Sequence, residues 1–201
     1  GRFDLNPWDG EDEIPGKAAD GAKALIDELH SALDPKAYRK AVALLAESEF
    51  IDIFGVENSL TPAMDLFTKL GYLGLTCRLN TDAYLQQIRA GHLPHGAVAG
   101  RLLPFGSSAD TVKALRLAKS HGAKTIAITN AIGAPLASWA DVTLLTGRDS
   151  HTIYGNAIFS RVADTALVDM LYMGVILSGY GRFSTALDES GRMIRDRVFE
   201  N

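Results

Sequence analysis

Two short loops carry the side chains with the most chemical potential in this chain. Gly55-Val-Glu-Asn-Ser59 follows the apolar run Phe50-Ile-Asp-Ile-Phe54, and Pro104-Phe-Gly-Ser-Ser108 follows the run Ala97 to Leu103. Each sets a glycine and hydroxyl or amide side chains ahead of a helical pattern. Unpaired backbone N–H groups at a helix start, with serine hydroxyls beside them, favour an anionic ligand or a sugar oxygen. The candidate ligand-binding residues are therefore Gly55, Glu57, Asn58, Ser59, Gly106, Ser107 and Ser108. Serine and asparagine also act as plain N-caps at such places, and that alternative stands beside the ligand reading. Glu57 and His151 are the residues that could offer a base and an acid to carbonyl chemistry, although no catalytic residue is assigned.

Other reactive side chains give weaker patterns. His92-Leu-Pro-His95 has a proline inside the pair and no cysteine nearby, so it reads as a surface turn rather than a metal site. Neither a metal nor a cofactor is expected. Cys77 lies in an apolar stretch with nothing beside it to activate a thiolate, so it reads as core filling. Asp52 and Arg101 both interrupt apolar strand patterns. They form a pair across adjacent strands, or each sits in water at a strand end; Arg101 turning toward Glu57 is a further option.

The elements that must hold these loops follow from periodicity. Ala18 to Leu33 reads as a helix, and Asp34-Pro35 gives an N-cap and an N1 proline to a second helix through Ala46. After the strand 50–54, a helix with Pro62 in its first turn runs to Gly71. Leu73 to Leu79, Ala97 to Leu103, Lys124 to Thr129 and Val142 to Leu145 are further strands, with a brief helix at Ala83 to Arg89 and helical residues at Ala134 to Trp139. Ser107-Ser-Ala-Asp110 has the form of a capping box, opening a helix that Gly122 ends. Ile153 to Leu177 and Thr185 to Phe199 close the chain as helices. Short strands alternating with helices require a parallel sheet covered on both faces. The expected class is thus α/β, a three-layer αβα sandwich around a five-stranded parallel sheet. If the first and third strands flank the reversal of strand order, the two glycine loops converge there.

The 201 residues suffice for one domain with a full core, and the net charge of −4 argues against this chain gripping nucleic acid by itself. A single cysteine excludes an internal disulfide framework and suits a cytoplasmic location. The longest apolar run contains Asp164 and Asp169 and is too short and too charged to cross a bilayer, so no membrane partner is expected. Residues 1–16, with Pro7, Gly10, Pro15 and Gly16 around an acidic Asp9-Gly-Glu-Asp-Glu13 run, read as a linker, and 17–201 as one ligand-binding domain. With no initial Met, the chain reads as a fragment. Val162, Ala166, Leu167, Met170, Leu171 and Val175 exceed what one sheet face needs, which points to a homodimer or higher homo-oligomer, or to burial in one larger fold.

Phe54-Gly-Val-Glu-Asn-Ser59, the run from Gly106 to Leu115, Ala118 to Asn130 and Pro135 to Leu145 together resemble a SIS (sugar isomerase) domain, from about residue 36 to the C-terminus. The tail Ser160-Arg-Val-Ala-Asp-Thr-Ala-Leu-Val-Asp-Met-Leu-Tyr172 is similar to that domain in RpiR-type transcription regulators. The resemblance implies a five-stranded sheet, a dimer, a sugar phosphate or related carbohydrate derivative as ligand, and contact with DNA only through an upstream helix-turn-helix domain. It also brings the region of Arg148 and His151 toward the ligand. The departures bear on chemistry. Glu57 stands at the family's second loop glycine, Leu103-Pro-Phe105 replace three positions of its second loop, and Ser108 stands in for a threonine. A carboxylate beside a phosphate opposes binding, so a neutral or aminated sugar, or a scaffold without a ligand, are alternatives. The leading expectation is an effector-sensing domain; the alternative is a sugar-phosphate isomerase on the same fold.

Overall fold

The computed structural model describes residues 5–93, 100–104, 109–130, 138–147 and 160–199. Helix α1 spans Ile14–Ala32 and α2 Pro35–Ala46, followed by β1, Phe50–Phe54. Helix α3 spans Leu60–Tyr72, β2 Cys77–Asn80, α4 Ala83–Gly91, β3 Gly100–Pro104 and α5 Ala109–Ser120. Then come β4, Lys124–Thr129, and β5, Val142–Leu145, before α6, Val162–Ser178, and α7, Tyr180–Phe199. The strands pair in parallel in the order β2-β1-β3-β4-β5. An α/β fold is thus what the alternating pattern produces.

Alternation along the strands sorts the side chains into two cores. Ile51 and Ile53 of β1, Ile126 and Ile128 of β4, and Val142 and Leu144 of β5 pack with α1, α2, α3, α6 and α7. Phe54 of β1 and Ala127 of β4 belong to a second cluster with Ala90 of α4 and Ala114, Leu115 and Ala118 of α5. That cluster is rich in alanine, which lets α4 and α5 lie close to the strands.

Helix boundaries follow local chemistry. The Asp34 carboxylate accepts the Lys36 N–H at 3.2 Å, with Pro35 in the first turn of α2, as expected. Helix α1 begins at Ile14, ahead of the expected Ala18, with Pro15 in its first turn. Helix α3 does not stop at Gly71. The left-handed residue is Gly74, at φ 76°, and the Leu75 N–H reaches back to the Leu70 carbonyl, a Schellman-type end. The strand that follows is correspondingly shorter than Leu73 to Leu79. Gly122, at φ 82°, ends α5 in the same way, as expected. The expected segment 134–139 falls largely outside the described residues, as do 153–159 of the long helix.

The apolar surplus of α6 is mostly consumed inside the chain. Leu167, Leu171 and Val175 are fully buried because α1, α2 and α3 all pack on this one helix. Met173 and Leu177 are instead the apolar residues that α6 leaves exposed. Where α2 crosses α6, a Cβ on Gly174 would lie 2.3 Å from the Tyr38 hydroxyl and 2.8 Å from Val42 Cγ2. That hydroxyl donates to the Met170 carbonyl at 2.6 Å. Gly174→Ala is expected to lower the urea midpoint by the equivalent of about 1–3 kcal/mol. Tyr38→Phe in the same background should recover part of this by removing the clashing oxygen, less about 1 kcal/mol for its hydrogen bond.

Candidate functional site

The strand order reverses between β1 and β3, which are hydrogen-bonded neighbours with Ile53 opposite Leu103 and Phe54 opposite Pro104. In open α/β sheets the crevice beyond the carboxyl ends of two such strands is where ligands bind. The turn leaving β1 is built to fit there. Gly55 is buried, and a Cβ on it would stand 2.3 Å from Ala63 Cβ and 2.7 Å from the Ser59 carbonyl oxygen. Only glycine lets the strand end pass this close to the first turn of α3. Its N–H donates to the Asn80 carbonyl at 3.0 Å, tying the turn to β2.

Beyond it the chain makes a single 3-10 turn, Glu57–Ser59, before α3. Glu57 sits at φ 53°, the one non-glycine with positive φ among the described residues. A left-handed conformation costs an L-residue roughly 1–2 kcal/mol, which explains why a glycine is the ordinary occupant. Glu57 and Asn58 are exposed at the mouth, and Ser59 is half-buried. Ser59 occupies the cap position of α3, yet its hydroxyl makes no capping bond. Plain N-capping therefore does not account for Ser59. Gly106, Ser107, Ser108, Arg148 and His151 lie outside the described residues, so the structure brings together Gly55, Glu57, Asn58 and Ser59 of the candidate set.

Beneath the turn lies a polar network whose partners sequence reasoning did not name. Asp52, 1% exposed, pairs with Arg78, whereas the Arg101 side chain of the expected pair lies outside the described residues. The register explains the Arg78 pair: Asp52 stands opposite Arg78 on one side and Leu102 on the other, while Arg101 stands opposite Ile51. Arg78 Nε donates to Oδ1 at 3.0 Å and its Nη2 to Oδ2 at 2.6 Å, a two-pronged contact. The Asp52 carboxylate holds the Arg78 guanidinium above its ordinary pKa, against the opposing effect of burial. Arg78 also lies over the Phe50 ring at 5.0 Å. Asn80, fully buried, donates through Nδ2 to Asp52 Oδ1 at 2.6 Å and to the Ile53 carbonyl at 3.1 Å. Both partners are acceptors, so the orientation of the amide is chemically fixed. Among the described residues the buried Asn80 Oδ1 and Gln86 Nε2 find no hydrogen-bond partner. One signal could have found this network: Arg78 and Asn80 alternate along β2 with the period that Asp52 has in β1.

A second titratable cluster sits at the far side of the same rim. Burial pushes the Asp164 carboxyl up, while Arg161, at 3.1 Å, and a hydrogen bond from Thr146 act against that rise. Asp141 lies at the other end of the sheet. Its carboxylate accepts from the Thr125 N–H at 2.9 Å and from the Thr125 hydroxyl at 3.0 Å, so it fastens the start of β4 to the start of β5. The Cys77 thiol is pushed up to about 12 by burial, in keeping with a filling role. Among the described residues no group of acidic, histidine or cysteine side chains could hold a metal ion, and no single helix is long and apolar enough to cross a membrane.

The chain is an α/β domain with a candidate ligand crevice at its strand reversal, and residues 102–174 match the model of the SIS domain family. Among its curated relatives are HTH-type transcriptional regulators. One, from Caldanaerobacter subterraneus subsp. tengcongensis, is 29% identical over 92% of this chain and 66% of its own length. The regulator HexR of Escherichia coli is 26% identical over 98% of this chain and 68% of its own length. The chain thus spans about two thirds of these relatives. Among solved structures, the Vibrio vulnificus NanR protein complexed with ManNAc-6P superposes with a TM-score of 0.84 at 20% identity, over 94% of this chain and 70% of that one. The sugar isomerase domain of an RpiR transcription factor from Sphaerobacter thermophilus gives 0.77 at 22% identity, over 90% and 99%.

Proposed function

We propose that this chain is the effector-sensing domain of an RpiR-type transcription regulator, binding a sugar phosphate or related carbohydrate derivative in the β1–β3 crevice. The observation that carries the reading is the reversal of strand order at β1 and β3, with the close glycine turn Gly55 to Ser59 on its rim. The regulator relatives support it across nearly the whole chain, as does NanR, of the same fold, complexed with ManNAc-6P. Gly55, Glu57, Asn58 and Ser59 form one wall, and Gly106, Ser107, Ser108 and His151 are the further ligand-binding residues of this reading. The reading takes 17–201 as a three-layer sandwich around a five-stranded parallel sheet, with residues 1–16 leading to a DNA-binding domain outside this chain. It works in the cytoplasm as a homodimer or higher homo-oligomer, with the exposed Met173 and Leu177 of α6 as its apolar contact surface.

A panel of sugars and sugar phosphates scored by thermal shift tests the reading, because a ligand specific for the native state raises stability by mass action. No shift from any member would overturn it in favour of a scaffold without a ligand. Glu57 gives the sharper prediction. Glu57→Gly removes a carboxylate facing the ligand, worth about 1 kcal/mol at 4 Å in water, so affinity for phosphorylated members should rise about fivefold. Stability itself should change little, since relief of the left-handed strain is offset by the roughly 0.5–1 kcal/mol of extra chain entropy that glycine loses on folding. The second reading, an isomerase, draws on the same strained carboxylate as a base. Turnover of a sugar phosphate that vanishes in Glu57→Gln would favour it.

A further inference from the structure

The charge of this chain is unevenly laid out. Residues 83–124 hold six of its 20 lysines and arginines but, in Asp110, only one of its 24 acidic residues. Lys113, Arg116 and Lys119 stand exposed on α5, and no ion pair among the described residues engages them. Lys113, Arg116, Leu117 and Ser120 follow the i, i+3, i+4, i+7 spacing of one helix face and line a groove of about 480 Å³ with Gln87 and Trp139. Arg116 lies over the Trp139 ring at 5.0 Å, giving the groove an aromatic wall beneath a cation.

The complement of this groove lies at the other end of the chain. Residues 9–13 carry four carboxylates in five positions, and Glu11 and Asp12 are exposed without an ion-pair partner among the described residues. The preceding Trp8 and Leu5 are 80% and 62% exposed, a large apolar surface beside the acids. Water-exposed tryptophan is costly to leave uncovered, and aromatic anchors next to charge are typical of contact surfaces. The same chain cannot join the two easily. Segment 5–13 leads into α1, which packs on the face of the sheet opposite to α5.

We propose that the acidic, Trp8-bearing segment of one copy docks in the Lys113–Arg116–Trp139 groove of a second copy. Glu11 and Asp12 face the cations of α5, and Trp8 covers the apolar floor at Leu117. The contact joins two different patches, so reciprocal exchange of segments closes a dimer and one-way exchange builds a chain of copies. It does not depend on which ligand the crevice takes.

Carbodiimide cross-linking of a mixture of nitrogen-15-labelled and unlabelled chain, mapped by mass spectrometry, tests this. Links between Lys113 or Lys119 and Glu11 or Asp12 of different copies are expected. Arg116→Glu keeps both lysines and Trp8→Ala keeps both acids; each should cut the yield about tenfold or more, as loss of an interfacial charge or anchor does. Both sites are exposed, so melting temperatures should hold. Links confined within one copy, or links between copies that survive both substitutions, would overturn the proposal. So would Arg116→Glu abolishing salt-sensitive retention of duplex DNA in a chain that shows no such links, since the groove would then serve nucleic acid.

Discussion

Gly55→Ala is expected to destabilise the domain by about 3 kcal/mol, the upper part of the range for forcing an extra carbon into a packed site. The new methyl would overlap Ala63 Cβ at 2.3 Å and the Ser59 carbonyl at 2.7 Å, and neither is the free end of a flexible side chain. To make room, α3 must move away from β1. That helix buries Ala63, Leu66 and Leu70 in the larger core, so the displacement is resisted along its length. For a chain of this size the loss corresponds to a fall in melting temperature of roughly 6–12 °C. Ala63→Gly in the same background removes one overlap and leaves the other, so it should restore part of the stability, less the roughly 1 kcal/mol that glycine costs inside a helix. Ligand affinity should fall with it, because the turn holding Glu57, Asn58 and Ser59 would be displaced. A Gly55→Ala chain within 0.5 kcal/mol of the parent in urea would show that the turn relaxes freely and does not define the crevice.

That the Gly55 turn is legible in the sequence and the partner of Asp52 is not has a physical origin. The β1 run and its glycine turn are local patterns: an apolar run, a glycine, polar residues and a helical period, each legible within ten residues. The same holds for Asp34-Pro35 and for Gly122. Which cation faces Asp52 is not local. Both β2 and β3 flank β1, and both carry an arginine, so the choice depends on registers set by the surrounding packing. The end of α3 was misread for a related reason. Gly71 and Gly74 are both plausible stops, and the choice fell to the one where the reversed chain buries Leu73 and Leu75. The surplus of apolar residues on α6 was real, but a single helix can be covered from three sides by other helices of its own chain, which composition does not reveal.

Arg78→Met should cost about 3 kcal/mol, the lower end of what breaking a buried ion pair costs, because Arg78 itself is partly in water. The loss comes from the carboxylate left behind. Asp52 is 1% exposed, and among the described residues it keeps, without the guanidinium, only the Asn80 amide at 2.6 Å. If that is the cause, removing the stranded charge should cure most of the defect. Asp52→Leu with Arg78→Met is expected to approach the parent, since well-packed apolar residues can replace a buried pair at little cost. The coupling energy between the two positions, read from urea unfolding of the four chains, should then be about 2 kcal/mol. Additive losses would mean that the pair is a surface contact without consequence. The crevice would respond as well, and in a way that separates positioning from stability. Asn80 holds both the Ile53 carbonyl through its side chain and the Gly55 N–H through its backbone, so the buried pair fixes the point where the turn departs. In the double variant, with stability recovered but Asn80 deprived of its carboxylate partner, ligand affinity should stay below that of the parent. The network under the turn would then be an aiming device for the candidate site as well as part of the core.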